Sequence, residues 1–219
     1  VQNGEIYAGA LDALDLDGVI IVHVDKPPPK RQSLPFSELA ATRATEAVQR
    51  SLDQIGPRTV GKFLFTSGST GMPKAVINTQ EMMCANIAMG QMGRIRKAGD
   101  PVPVQLCWLP WNHTMGGNAT FQGNLAEGGT TWIDDGKPLP GLFEETLRNL
   151  REISPTIYFN VPKGLEEIAT AMDSDVQLRD TLFKRCKAFM FAGAALSQAV
   201  WDKLHAHAEA SVGERVRVI

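Results

Sequence analysis

Short apolar runs, many of them rich in β-branched residues, alternate with helix-length segments along this chain. The first clear strand is expected at Gly18 to Val24 (GVIIVHV). Lys62 to Phe65 (KFLF), Val104 to Leu109 (VQLCWL) and Thr130 to Ile133 (TTWI) follow. Thr156 to Phe159 (TIYF), Ala188 to Phe191 (AFMF) and Val216 to Ile219 complete the series. Several of these runs are apolar on both faces, the pattern of strands covered by helices on each side. Between them, Phe143, Leu147 and Leu150 recur with helical spacing, with Glu144 and Glu145 in the first turn and Arg151 late. That charge order complements the helix dipole. Ser197 is placed to cap SQAVWDKLHAHAEA, and Thr79 to cap TQEMMCANIAMGQM. Strand–helix alternation of this kind predicts an α/β fold with a mostly parallel β-sheet flanked by helices. The Pro-rich stretch Lys26 to Pro35 reads as a surface connection, and Pro138 to Gly141 as a turn.

Composition adds exclusions. At 219 residues, 43% of them hydrophobic and 21% charged, the chain can bury the core of a soluble globular unit. Its net charge of -2, with Lys and Arg spread along the chain, carries no nucleic-acid footprint. No apolar run approaches the ~18 residues that span a bilayer, so no membrane partner is expected. Cys84, Cys107 and Cys186 are far apart and outside any CxxC spacing. They argue against a disulfide framework or zinc site, and predict buried, unreactive thiols in a cytoplasmic protein. The chain opens on Val1 without a signal-peptide pattern, and both ends read as cut.

The densest chemistry lies at Thr66-Ser67-Gly68-Ser69-Thr70-Gly71-Met72-Pro73-Lys74, after the strand KFLF and before a stretch that reads as helical. Glycines let backbone N–H groups come close to a polyphosphate, hydroxyls donate to its oxygens, and a lysine supplies a mobile charge. A Walker-type GxxxxGK[ST] loop does not fit: the glycines are three apart and Ala75 stands where a magnesium-binding hydroxyl is needed. A GxGxxG dinucleotide fingerprint does not fit either.

This loop resembles the Thr-Ser-Gly-(Ser/Thr)-Thr-Gly-x-Pro-Lys signature of the adenylate-forming superfamily, which contains acyl- and aryl-CoA synthetases, luciferases and peptide-synthetase adenylation domains. The family commonly has Gly where this chain has Ala75, a costly change if that position needs a positive φ. Further segments resemble the family in order. Leu109-Pro110-Trp111-Asn112-His113-Thr114-Met115-Gly116-Gly117 is similar to the segment lining the acyl or aryl pocket, with His113 as a gate and Trp111 or its neighbours as an apolar wall. Phe191-Ala192-Gly193-Ala194-Ala195-Leu196-Ser197 is similar to the stretch on which adenine rests. WIDDGKP from Trp132, LFEETLRNLREI and YFNVPKG from Tyr158 resemble the feruloyl-CoA synthase branch.

The resemblance implies that residues 1–219 form the central part of the large N-terminal, AMP-binding domain of an ATP-dependent aryl-CoA ligase. Such an enzyme joins a small-molecule carboxylate, a hydroxycinnamate such as ferulate, to CoA through an acyl-adenylate, using ATP and Mg2+. Ser67, Ser69, Thr70 and Lys74 would stabilise charge on the β- and γ-phosphates, while Thr66, Gly68 and Gly71 shape the loop. Lys74 and His113 are the residues expected to carry the chemistry, and Gly193, Ala194 and Ala195 to meet the nucleotide. The family's next motif, Tyr-Gly-x-Thr-Glu with its magnesium-binding Glu, is expected after Ile219, as are the ribose-binding Asp and catalytic Lys. The 219 residues alone are therefore expected to be inactive. Alternatives are a fatty acyl-CoA ligase, a carrier-loading adenylation domain, or a non-catalytic nucleotide- or phosphate-binding module.

Elsewhere the sequence reads structurally. His205 and His207 face different sides of a helix and read as solvated rather than metal-binding. Met82, Met83, Met89 and Met92 read as core filler. Asp134-Asp135-Gly136 reads as a turn, Arg94-Ile95-Arg96-Lys97 as a solvated helix end, and His23 carries no role. No metal ligand is assigned.

Overall fold

The computed structural model describes residues 1–66, 71–92 and 101–219, so the basic run 94–97 lies outside the described residues. These divide into two units, Val1–Ile55 and Gly56–Ile219. The first holds α1 (Ala8–Asp12), a parallel pair of two-residue strands β1 (Val22–His23) and β2 (Leu34–Pro35), α2 (Phe36–Ala41) and α3 (Glu46–Asp53). The strand expected over 18–24 is thus much shorter. Gly18 sits at φ 73° in a turn, and Val19 and Ile20 stay exposed, so no pleated neighbour holds them extended. His23 is buried and its Nδ1 lies 2.9 Å from the Ser33 hydroxyl.

In the second unit, β3 (Val60–Thr66) and β4 (Lys74–Thr79) form an antiparallel hairpin. The stretch after Pro73 is therefore a strand, not a helix. Val76 and Ile77 are β-branched and stiff at χ1, which favours the extended chain. Phe63 and Phe65 are 56% and 72% exposed, so this strand is not covered by helices on both faces as expected. α4 (Gln80–Met92) follows, with the Thr79 hydroxyl accepting from the Met82 amide at 3.3 Å as a cap. Met83 is buried, but Met82, Met89 and Met92 are exposed, and so is Cys84; the core-filler and buried-thiol readings fail there.

The remaining elements are β5 (Val104–Cys107), a π-helix (Thr114–Gln122), α5 (Gly123–Ala126), β6 (Thr130–Ile133) and α6 (Phe143–Leu150). They continue with β7 (Ile157–Asn160), α7 (Pro162–Ala171), α8 (Val176–Phe183), β8 (Ala188–Phe191), α9 (Gln198–Val212) and β9 (Arg217–Val218). β5 pairs parallel with β6, and β7 with β8 and β8 with β9. The two groups meet where β5 runs beside β7. Thr156 N donates to the Val104 carbonyl at 2.8 Å at one end, and Trp108 Nε1 donates to Asn160 Oδ1 at 3.1 Å at the other. The offset is the same at both ends, so β5 and β7 are also parallel. The order β6–β5–β7–β8–β9 brings every strand's C-terminal end to one edge, where α/β sheets bind ligands.

The main core packs α6, α7, α8 and α9 on one sheet face. Tyr158, Leu165, Ile168, Phe183, Phe189 and Leu204 are buried there. Phe189 meets Tyr158 and Phe183 edge-on, with centroids 6.4 Å and 5.9 Å away. Burial raises the Tyr158 hydroxyl far above its ordinary pKa and pushes the Cys186 thiol up to about 12. α6 buries Phe143, Leu147 and Leu150, as its spacing predicts. α8 is capped by Asp175, whose carboxyl lies below its usual pKa through the Leu178 amide and then the Arg151 guanidinium. α9 starts where Ser197 accepts from the Val200 amide.

Two assignments change in this region. His205 is buried edge-on against Trp201, centroid distance 3.9 Å, with no hydrogen bond to either ring nitrogen. His207 is largely covered, its Nε2 3.0 Å from the Ala169 carbonyl oxygen. Neither is a solvated residue: helical spacing separates their directions, and packing of α9 on α7 and α8 covers both. Asp134, read as part of a turn, is buried and accepts from the Thr146 hydroxyl at 2.7 Å and the Asn149 amide at 3.0 Å. It thereby ties the end of β6 to α6, while its bond from the Gly136 amide makes the expected turn.

Candidate functional site

Thr66 and Lys74 close the neck of the β3–β4 hairpin as a paired position, and both are exposed. Ser67, Gly68, Ser69 and Thr70 lie outside the described residues. Gly71, Met72 and Pro73 lead back to Lys74 in the open, so the Lys74 ammonium is free of burial. Ala75 pairs with Phe65 inside the ladder, and no non-glycine among the described residues has positive φ. The alanine in place of the family's glycine therefore carries no backbone strain.

At the carboxyl edge of the sheet, the chain leaves β5 and turns into the π-helix. His113 caps that helix: its Nδ1 accepts from the Met115 amide at 3.2 Å, and the residue is exposed. The following glycines are needed sterically. A Cβ on Gly116 would lie 2.3 Å from the Pro110 carbonyl oxygen, and one on Gly117 2.2 Å from that of Trp111. The helix is thus pressed against the turn that carries His113.

A cavity of about 400 Å³ opens at this edge. His113, Thr114 and Met115 line it from the β5 exit, Phe159 from β7, and Met190 and Ala192 from β8 and its exit. A second cavity of about 350 Å³ adjoins it, sharing Asn86, Asn118, Ala119, Phe159 and Met190 and continuing past Ile87 and Met89 of α4. Most of these walls are apolar, and the amides of Asn86 and Asn118 lie where the two cavities meet. Asn118 donates to Asn78 Oδ1 at 2.9 Å, while its own Oδ1 is buried without a partner.

The sequence-expected residues are brought together in part. His113 and the start of the Ala192–Ala195 loop share the cavity, and Gly193 (φ 93°), Ala194 and Ala195 are exposed beside it. This loop offers bare backbone and small side chains, which suits a flat base. Lys74 does not line the cavity, and neither does Trp111, which stacks on Phe121 at 4.2 Å. The apolar wall comes instead from Met115, Phe159, Met190 and Phe191. Phe159 and Met190 belong to runs whose sequence marks only strands, and their place one residue before the ends of β7 and β8 brings them to the cavity. Among the described residues no group of three His, Cys, Asp or Glu side chains could hold a metal ion.

The chain is 28% identical over 154 residues to a long-chain-fatty-acid–CoA ligase of Rattus norvegicus, covering 68% of this chain and 21% of that protein. It is 30% identical over 121 residues to 4-coumarate–CoA ligase 3 of Arabidopsis thaliana, covering 53% of this chain and 21% of that one. The chain thus spans about a fifth of the length of these curated relatives. The apo structure of MatB from Rhodopseudomonas palustris superposes with a TM-score of 0.63 at 19% identity, over 99% of this chain and 38% of that one. A malonyl-CoA ligase bound to methylmalonyl-CoA and AMP gives 0.62 at 20% identity, over 98% and 43%. At such identities these structures establish the α/β fold alone. The model of the AMP-binding enzyme family matches residues 6–214, and the chain belongs to that family.

Proposed function

We propose that this chain is the central part of the nucleotide-binding region of an ATP-dependent acid–thiol ligase. The whole protein would convert an aryl carboxylate, ATP and CoA to aryl-CoA, AMP and pyrophosphate by way of an acyl-adenylate. The observation that carries this reading is the shared cavity: His113 and Ala192, the first residue of the Ala192–Ala195 loop, line it at one sheet edge. The carboxylate's organic part would fill the apolar cavity, with His113 as a movable polar gate at its mouth. Gly193, Ala194 and Ala195 would receive the adenine. Ser67, Ser69, Thr70 and Lys74 would cradle the β- and γ-phosphates, with Thr66, Gly68 and Gly71 shaping their loop, and Lys74 would offset charge as pyrophosphate leaves. Mg2+ would accompany the ATP. A hydroxycinnamate such as ferulate is the preferred carboxylate; the WIDDGKP, LFEETLRNLREI and YFNVPKG segments and the plant 4-coumarate ligase support it. Three free cysteines suit a reducing cytoplasmic setting.

A fatty acyl substrate is the second reading. The adjoining cavity past Ile87 and Met89 supports it, because it would lengthen the apolar path, as does the long-chain ligase of Rattus norvegicus. Pyrophosphate release by the whole protein, measured with CoA and a panel of hydroxycinnamates, benzoates and fatty acids, separates the two. Turnover highest on hydroxycinnamates supports the first reading. Turnover highest on long-chain acids replaces it by the second, and no release with any carboxylate removes both.

A further inference from the structure

No continuous ladder joins β5 to β7 among the described residues; beside the one backbone bond from Thr156 to Val104, side-chain bonds stitch the seam. At the N-terminal end the Thr156 hydroxyl accepts from the Val104 amide at 3.0 Å. At the C-terminal end the stitch is the indole of Trp108 on Asn160 Oδ1 at 3.1 Å. Asn160 is fully buried and uses both ends of its amide. Its Oδ1 also accepts from the Val161 amide at 2.8 Å, and its Nδ2 donates to the Tyr158 hydroxyl at 3.0 Å. α7 comes so close that a Cβ on Gly164 would lie 2.3 Å from Asn160 Oδ1, so only glycine fits over this amide.

The seam runs under the cavity. Trp108 packs against the buried cluster of Cys107, Leu109 and Phe159, as do Met115 and Met190, and Phe159, Met115 and Met190 line the cavity. Immediately after Trp108 the chain turns out to His113, while β7 and β8 supply the opposite wall. We infer that Asn160 is a positioning residue of this site: by holding the Trp108 indole across the seam, it fixes the wall carrying His113 against the wall carrying Phe159 and Met190. The Asn160 end of the bond is fully enclosed and the indole is partly covered, so losing the bond releases Trp108 from β7 and lets the two walls shift. A shift of about an ångström in a site that must align reacting groups is enough to change binding of one substrate.

The kinetic side of this inference rests on the reading of the cavity as a carboxylate site; the structural side does not. Trp108→Phe removes the indole donor and keeps an aromatic ring, while Tyr158→Phe removes a different side-chain partner of Asn160, inside the core. Hydrogen exchange of both variants is compared with the wild type. In Trp108→Phe, amides of residues 109–115 are expected to exchange about tenfold faster, with α8 and α9 unchanged. In Tyr158→Phe, residues 109–115 are expected to keep their wild-type rates. Unchanged exchange at 109–115 in Trp108→Phe overturns the inference, as does equal loosening of α8 and α9, or the same loosening in Tyr158→Phe. In steady-state assays Trp108→Phe should raise the KM for the carboxylate about tenfold and leave that for ATP unchanged; equal changes in both also count against it. A wild-type protein without carboxylate-dependent turnover would refute the ligase reading and leave the exchange result to decide the seam.

Discussion

The Thr66 hydroxyl stands 3.4 Å from the Lys74 carbonyl oxygen, across the neck of the hairpin whose tip carries the Ser/Gly-rich loop. The pairing fixes where the loop leaves and re-enters the sheet, and it points the Lys74 chain into the open rather than into a core. A lysine so placed contributes little to folding, so a defect on its removal reports on ligand chemistry. Lys74→Ala in the whole protein is expected to slow adenylate formation ~10²-fold, as for one preorganised donor. Thioester formation from supplied acyl-adenylate should change far less. Equal damage to both half-reactions, or a clear drop in Tm, would assign Lys74 a structural role.

His113 has two separable functions in this geometry, a helix cap through Nδ1 and a face on the cavity. His113→Ala removes both and is expected to cost about 1 kcal/mol through the lost cap. His113→Asn keeps a capping acceptor. Both variants should alter the kinetics of the carboxylate or CoA while leaving the apparent affinity for ATP within about threefold. Should His113→Asn restore full activity along with Tm, the cap alone would explain the residue.

Asp134 is a buried acceptor for three donors, from Gly136, Thr146 and Asn149. Asp134→Ala strands all three and is expected to lower stability by about 3 kcal/mol, read from denaturant unfolding. A change below about 1 kcal/mol would show that the network holds without its carboxylate.

Burial, with the charge of Arg215 adding to it, holds the His205 imidazole below its ordinary pKa. The unfolded chain therefore binds a proton at higher pH than the folded chain does. Stability should fall as pH drops through about 6.5 and level off below the folded-state pKa. His205→Leu should flatten that part of the profile. An unchanged slope between about pH 7 and 5 would place the acid sensitivity elsewhere.

Much of this fold can be read from the chain because burial imposes period. Phe143, Leu147 and Leu150 mark α6, and the apolar run at 188–191 marks β8, whereas the mostly exposed β6 is marked by the β-branched residues of 130–133. Local capping chemistry places Thr79 and Ser197 correctly. What the chain conceals depends on partners distant in sequence. Asp134 looks like a turn residue until Thr146 and Asn149 close on it, and His205 looks exposed until α9 packs on α7 and α8. The site divides in the same way. The His113 segment carries a legible motif, whereas Phe159 and Met190 become cavity walls only because β7 and β8 end side by side.

Isotope exchange tests the proposed acyl-adenylate formation by the whole protein without the thioester step. The whole protein, given ATP, Mg2+, labelled pyrophosphate and a hydroxycinnamate but no CoA, is expected to return label to ATP. That exchange should require the carboxylate and fall about 10²-fold with Lys74→Ala. Exchange that proceeds without any carboxylate, or none across the whole panel of acids, would contradict it.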